Sequence, residues 1–283
     1  MRIAVILPSS RIRPGPERDA FDAGWAWLEA RGHVLFAIGE AWHEGLAPWL
    51  AADDASRARA WREALASDAE LVWMGRGGHG AARLVAALGP PVDVTVGQRF
   101  FGFSDGTALL AHHPRAWSAP PLVQIPRLDQ PSLARLEEAL AGHVSAMSLA
   151  PLGPPAAAAI SGPLVGGNLT VLASLVGTPY LPSLDGILAL EDVGEAAYRI
   201  DRMLHQLLWS GALERVRAVL LGDFMAGLPE REHASVRRAL IDFFGGLGRP
   251  VFGGLPIGHG ATNACLPWTR VVIDPGGHLE VGR

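Results

Sequence analysis

The first half of this chain alternates between short apolar runs and longer stretches with helical spacing, and that alternation restricts the fold more than any other feature. The apolar runs at 2–7, 33–37, 71–74 and 100–103 read as strands. Helical periodicity covers residues near 17–30, 56–65, 81–88 and 106–112. Strands separated by helices pair in parallel, so the pattern predicts an α/β domain whose sheet is covered on both faces.

Past residue 114 the pattern changes. The run to about 162 is rich in proline and alanine, with Pro120-Pro121, Pro126, Pro131, Pro151 and Pro154-Pro155, and holds one amphipathic helix near 133–140. Such composition reads as a connection between domains. A second, less regular α/β pattern follows, with strands expected at 187–190, 219–221 and 271–273 and helices near 169–175, 195–208 and 230–243. The expected organisation is an N-terminal α/β domain at 1–115, a linker at 116–160 and a C-terminal domain at 161–283. A length of 283 residues accommodates two such domains.

Composition closes off several function classes. Hydrophobic residues make up 49% of the chain, as in globular proteins. No apolar run reaches the roughly 18 residues that a membrane helix needs. The apolar stretch in Met1–Pro8 is too short for an export signal, so the cytoplasm is the expected location. Net charge is −4 with both signs scattered, which leaves no basic stripe for nucleic acid. Cys265 is the only cysteine, which excludes an intrachain disulfide and a multi-cysteine zinc site. All 24 side chains counted as lysine or arginine are arginine. Without lysine there is no Schiff base, Ser-Lys dyad, Walker A lysine or pyridoxal phosphate attachment.

Three short motifs carry candidate chemistry. Gly75-Arg76-Gly77-Gly78-His79-Gly80 contains G-x-G-x-x-G between a strand and a helix. A dinucleotide fingerprint belongs in the first βα turn, whereas this turn follows the third strand. Asp93 and Asp105 bracket the position of a ribose-reading acid, and neither ends an apolar strand. The same glycines serve equally as a tight turn, or as a source of bare N–H groups for a developing negative charge. Gly102-Phe103-Ser104-Asp105-Gly106 matches the G-x-S-x-G elbow that exposes a nucleophilic serine. Ser and Asp also start helices as caps, so the pattern alone leaves both readings open. Gly258-His259-Gly260 places a histidine on a late glycine-flanked loop. No H-E-x-x-H occurs, since His43-Glu44 is followed by Ala47 where the second ligand would stand. The acid most naturally placed to complete a triad is Glu191, at the end of the apolar run 186–190, where ligand sites of α/β sheets collect. Glu191-Asp192 could equally favour the start of a following helix.

Taken in order, further segments join these motifs. They are Leu50-Ala51-Ala52-Asp53-Asp54 with Arg57, the glycine turn with Arg83-Leu84, and the Ser104 elbow. Gly166-Gly167-Asn168-Leu169-Thr170, Gly177-Thr178-Pro179-Tyr180, Leu190-Glu191-Asp192, the block Tyr198 to Leu204 and Gly258-His259 complete the series. Together they resemble the LD-carboxypeptidases, the serine peptidase family that includes muropeptide carboxypeptidases and microcin-immunity hydrolases.

The resemblance implies a Rossmann-like or flavodoxin-like first domain, a smaller mixed α/β second domain and an active site in the groove between them. It implies Ser104 as nucleophile, His259 as base and Glu191 as the acid that orients the histidine. The backbone N–H groups of Asp105 and Gly78 would form the oxyanion hole. The implied activity is removal of the terminal D-alanine from cytosolic muropeptide tetrapeptides, with no metal or organic cofactor, in a homodimer. His79, where the family often has tyrosine, and Trp268, where a glycine is expected, depart from the pattern and bear on the substrate. The rival readings are an immunity-type hydrolase of peptidyl-nucleotides or related amides, a general α/β-hydrolase esterase, and a non-catalytic peptide binder in which Ser104 only caps a helix.

Overall fold

A computed structural model describes residues 1–39, 49–89 and 94–282 and divides the chain into two compact units, Met1–Leu128 and Asp129–Arg283. His43, Glu44, Ala47 and Asp93 lie outside the described residues.

The first unit follows the predicted alternation. Its elements are β1 (Arg2–Ile6), α1 (Pro16–Glu29), β2 (Val34–Ala37), α2 (Asp54–Ala66), β3 (Leu71–Met74), α3 (Ala81–Ala87), β4 (Arg99–Gly102), α4 (Thr107–Leu110) and β5 (Ala116–Ser118). The five strands pair in parallel in the order β5-β4-β3-β1-β2. Read from the other edge this is 2-1-3-4-5, the flavodoxin-like order, whose switch point lies between β1 and β3. All four side chains of β3 are buried, as a parallel strand covered on both faces requires. α1 packs so closely on the 3-10 segment Leu122–Arg127 that a Cβ at Gly24 would stand 2.2 Å from the Leu122 carbonyl oxygen.

The segment expected to be a linker is folded, and it divides between the units. Residues 116–118 form the strand β5, and Asp129 caps α5 (Gln130–Leu140) by accepting the Ser132 N–H at 2.8 Å. The short strands β6 (Met147–Ser148) and β7 (Ala150–Pro151) then join the second unit's sheet at its two edges. Proline is tolerated in edge strands, which lack one row of ladder bonds, so a proline-rich composition did not mark a free linker here. These additions also make the second unit the larger of the two, rather than the smaller.

The second unit adds β8 (Ile160–Asn168), α6 (Leu169–Leu175), β9 (Gly186–Glu191), α7 (Ala197–Trp209), β10 (Val216–Leu221), α8 (Glu230–Gly246) and β11 (Val251–Gly253). A short β12 (Leu266–Pro267), then β13 (Arg270–Ile273) and β14 (His278–Val281), complete it. Its sheet runs β6-β14-β13-β8-β9-β10-β11-β7, parallel from β8 to β11 and antiparallel on both flanks. One face packs on α6, α7 and α8 through Leu172, Leu188, Leu204 and Leu240; the other encloses Leu164, Ile187, Leu220 and Val271. Burying each such side chain contributes about 1.5–3 kcal/mol. The parallel strands therefore deliver their C-terminal ends, Asn168, Glu191 and Leu221, to one edge of a rigid sheet.

Candidate active site

Ser104 sits where β4 gives way to a 3-10 turn over Ser104–Gly106 and then to α4. Its φ is +58°, and among the described residues it is the only non-glycine with a positive φ. A side chain held there costs on the order of 1–3 kcal/mol, which persists only where the surroundings over-determine it. The flanking glycines supply that constraint. A Cβ at Gly102 would stand 2.7 Å from the Phe100 ring, and one at Gly106 would stand 2.3 Å from Sδ of Met74. The spacing of the motif thus records close packing of the elbow onto β3 and β4. Neither Ser104 nor Asp105 caps α4. Asp105 is buried instead, and its carboxylate accepts the Ala81 N–H at 2.8 Å, at the start of α3. Burial raises the Asp105 carboxyl above its ordinary range, partly offset by its hydrogen bonds.

That bond ties the elbow to the glycine turn. Gly78 and Gly80 have φ of +109° and +124°, and a Cβ at Gly77 would lie 3.2 Å from Ser104 Cβ and 3.4 Å from its Oγ. The turn is pinned from behind. The wholly buried Arg57 donates to the carbonyls of Gly80, at 2.7 Å, and of Pro8, and to Asp54, which also receives Arg83 at 2.8 Å. Ser10 accepts the His79 N–H at 3.0 Å, and its own N–H donates to the Gly77 carbonyl. The His79 side chain itself is exposed. Asp105 faces back onto the turn, so it does not stand where a ribose acceptor of a dinucleotide site would.

Glu191 ends β9 with its side chain 1% exposed, and its Oε2 lies 2.9 Å from Nδ1 of His259. Asn168, ending the neighbouring β8, donates from Nδ2 to Oε1 of Glu191 and to Oδ1 of Asp192, both at 3.1 Å. The Asn168 Oδ1 accepts the Val171 N–H and so caps α6. Asp192 accepts the N–H and hydroxyl of Thr170, at 2.9 and 2.8 Å; it therefore serves the start of α6, while α7 begins only at Ala197. The register needs a bare backbone at Gly166, where a Cβ would strike the Ala189 carbonyl at 2.1 Å.

Asp223, just past β10, completes the arrangement. Its N–H donates to the Ile257 carbonyl at 2.8 Å, its own carbonyl accepts the Asp192 N–H at 3.1 Å, and its Oδ1 accepts the Met225 N–H at 2.7 Å. A Cβ at Gly258 would lie 2.4 Å from Asp223 Cβ, so the residue before His259 has to be glycine. Burial alone would push His259 down; the Glu191 carboxylate, with Asp192 and Asp223 behind it, outweighs burial and raises its pKa above the ordinary histidine value. Burial raises the Glu191 carboxyl, against the lowering pull of His259.

The second unit therefore brings together two of the expected residues, Glu191 and His259, while Ser104, Asp105 and Gly78 belong to the first. Sequence reasoning missed Asp223 as a site residue, although it carries the same signal as Glu191, a carboxylate just past an apolar strand. Trp268 packs against the second unit's core. Among the described residues, no three His, Cys, Asp or Glu side chains are arranged to hold a metal ion, and no helix is long and apolar enough to cross a membrane.

Comparison with known proteins agrees with both halves of this description. Residues 3–119 match the model of the LD-carboxypeptidase N-terminal domain and residues 161–272 that of the LD-carboxypeptidase C-terminal domain. The murein tetrapeptide carboxypeptidase of Pseudomonas aeruginosa is 32% identical over 99% of this chain and 94% of that protein. The crystal structure of muramoyltetrapeptide carboxypeptidase from Oxalobacter formigenes superposes with a TM-score of 0.80 at 29% identity, covering 100% and 99% of the two chains. An MccF-like protein from Streptococcus pneumoniae, solved in complex with AMP, shares the fold with a TM-score of 0.82 at 19% identity, over 99% and 98% of the chains.

Proposed function

The chain belongs to the LD-carboxypeptidase family, and from that premise we propose that it is a serine-type enzyme removing the terminal D-alanine from muropeptide tetrapeptides. The observation that carries the proposal is the backbone of Ser104, a non-glycine held at φ +58° on a strand-to-helix turn. Strain of that kind at a strand-to-helix turn is the signature of a nucleophile elbow.

In this mechanism His259 takes the Ser104 proton, and Oγ attacks the carbonyl before the D-alanine. Nδ1 lies against Glu191, so Nε2 is the nitrogen left to move protons. The tetrahedral oxyanion is held by the N–H groups of Asp105 and Gly78, where one donor is worth about 100-fold or more in rate. The C–N bond then breaks, and the departing amine takes the proton from His259. A water gives its proton to His259, attacks the acyl ester and restores the Ser104 hydroxyl. Buried Glu191 supports the imidazolium each time it forms. The proposal places this enzyme in the cytoplasm as a homodimer, both carried by the family likeness.

The test is D-alanine release from L-Ala-γ-D-Glu-diaminopimelate-D-Ala by wild type and Ser104→Ala. Release by the wild type alone is the expected result. Equal release by both proteins would rule out Ser104 as the nucleophile. No release by either, with turnover of a peptidyl-nucleotide amide instead, would replace the muropeptide with the immunity-type substrate.

A further inference from the structure

The second unit contains a cavity of about 430 Å³ that the mechanism does not use. It opens at the C-terminal ends of β10 and β11, where α/β sheets collect ligands, and its volume lies within the range of small-molecule sites. Leu221, Phe224, Leu240 and Leu255 give it an apolar lining, and Arg237 of α8 contributes a guanidinium. Arg237 is exposed and, among the described residues, makes no hydrogen bond or ion pair, whereas its neighbour Arg238 pairs with Asp242 one helical turn on. The other charged wall is Asp223, whose Oδ1 is engaged by the Met225 N–H and whose Oδ2 lies toward Gly260. Pro256 and Thr262, which also line the cavity, flank the segment that carries His259.

We propose that this cavity binds a small monocarboxylate with an apolar body, its carboxylate on Arg237, and that the bound molecule bears on the His259 loop. A single guanidinium fork matches one carboxylate in bidentate fashion. One guanidinium, in a lining that also carries the Asp223 carboxylate, suits a monoanion better than a doubly charged phosphate. Apolar walls favour a hydrocarbon remainder over a sugar or a peptide backbone, whose polar groups would lose their water without replacement. None of Ser104, Glu191 and His259 lines the cavity, so its occupancy is measurable whether or not the chain cleaves muropeptides.

The experiment is calorimetric titration of the full chain with 4-methylpentanoate and with its uncharged amide. It is paired with NMR of the His259 ring signals, assigned by comparison with His259→Ala. The carboxylate is expected to bind at least tenfold tighter than the amide. Arg237→Gln should erase that preference, Arg237→Lys should keep part of it, and saturation should shift the His259 signals. Equal affinity for the two compounds, binding of neither, or a preference that survives in Arg237→Gln would overturn the site. Carboxylate binding with unmoved His259 signals would overturn its link to the loop.

Discussion

The elbow at Ser104 and the pair at Glu191–His259 are held in place by opposite means. Ser104 is fixed by backbone: a positive φ, and Gly102 and Gly106 pressed against Phe100 and Met74. Glu191 and His259 are fixed by side chains: a buried carboxylate, Asn168 donating to two acids, and Asp223 gripping the histidine loop. Backbone strain aims an atom without surrounding it with charge, which suits a nucleophile that has to stay accessible. A buried polar network tunes a proton affinity, and it loses most when one member is removed.

The largest expected effect bears on the second region. Glu191→Gln keeps the shape but removes the charge that raises His259, and should lower kcat about 10³–10⁴-fold, as loss of an orienting carboxylate does elsewhere. On the proposed mechanism activity needs neutral His259, so the acid limb of kcat/KM should lie above the ordinary histidine value in the wild type. In Glu191→Gln the limb should move to lower pH, because the residue that raised the pKa is gone. A limb that stays in place would mean that Glu191 does not set the basicity of His259.

Asn168→Ala comes next. It removes the Asn168 donor from Oε1 of Glu191, leaves Oδ1 of Asp192 with only the Val193 N–H and uncaps α6, and should cost about 2–4 kcal/mol in denaturant unfolding. A loss under about 1 kcal/mol would show that water replaces the amide and that the network is less closed than described. The smallest effect belongs to the elbow. Ser104→Gly should be more stable than Ser104→Ala by about 1 kcal/mol, because only glycine adopts φ +58° without strain. Equal stabilities would remove strain from the contrast between the two regions.

The difference between the regions also decides how much the sequence reveals. The elbow is local, so an apolar strand, two glycines and a serine within five residues make the turn a candidate, beside a plain helix cap. The glycine turn and the parallel sheet are local in the same sense, and the alternation that predicts them recurs in the structure. The Glu191 network is assembled from the ends of β8, β9 and β10 and the His259 loop. No spacing along the chain announces that Asn168, Asp192 and Asp223 meet there; position alone made Glu191 and His259 candidates, and only likeness to a family joined them to Ser104. Residues 116–160 misled for a related reason: proline marks turns and sheet edges as readily as linkers, and β6 and β7 are edges formed by pairing with distant strands.

The proposed function requires Ser104 and His259 to share one proton transfer. It is tested most directly by kcat/KM for tetrapeptide cleavage in Ser104→Ala, His259→Ala and the double variant. Residues that share one proton transfer are grossly non-additive. The account predicts that the double variant retains the same residual rate as either single variant. Losses that multiply in the double variant would contradict it, because Ser104 and His259 would then contribute independently.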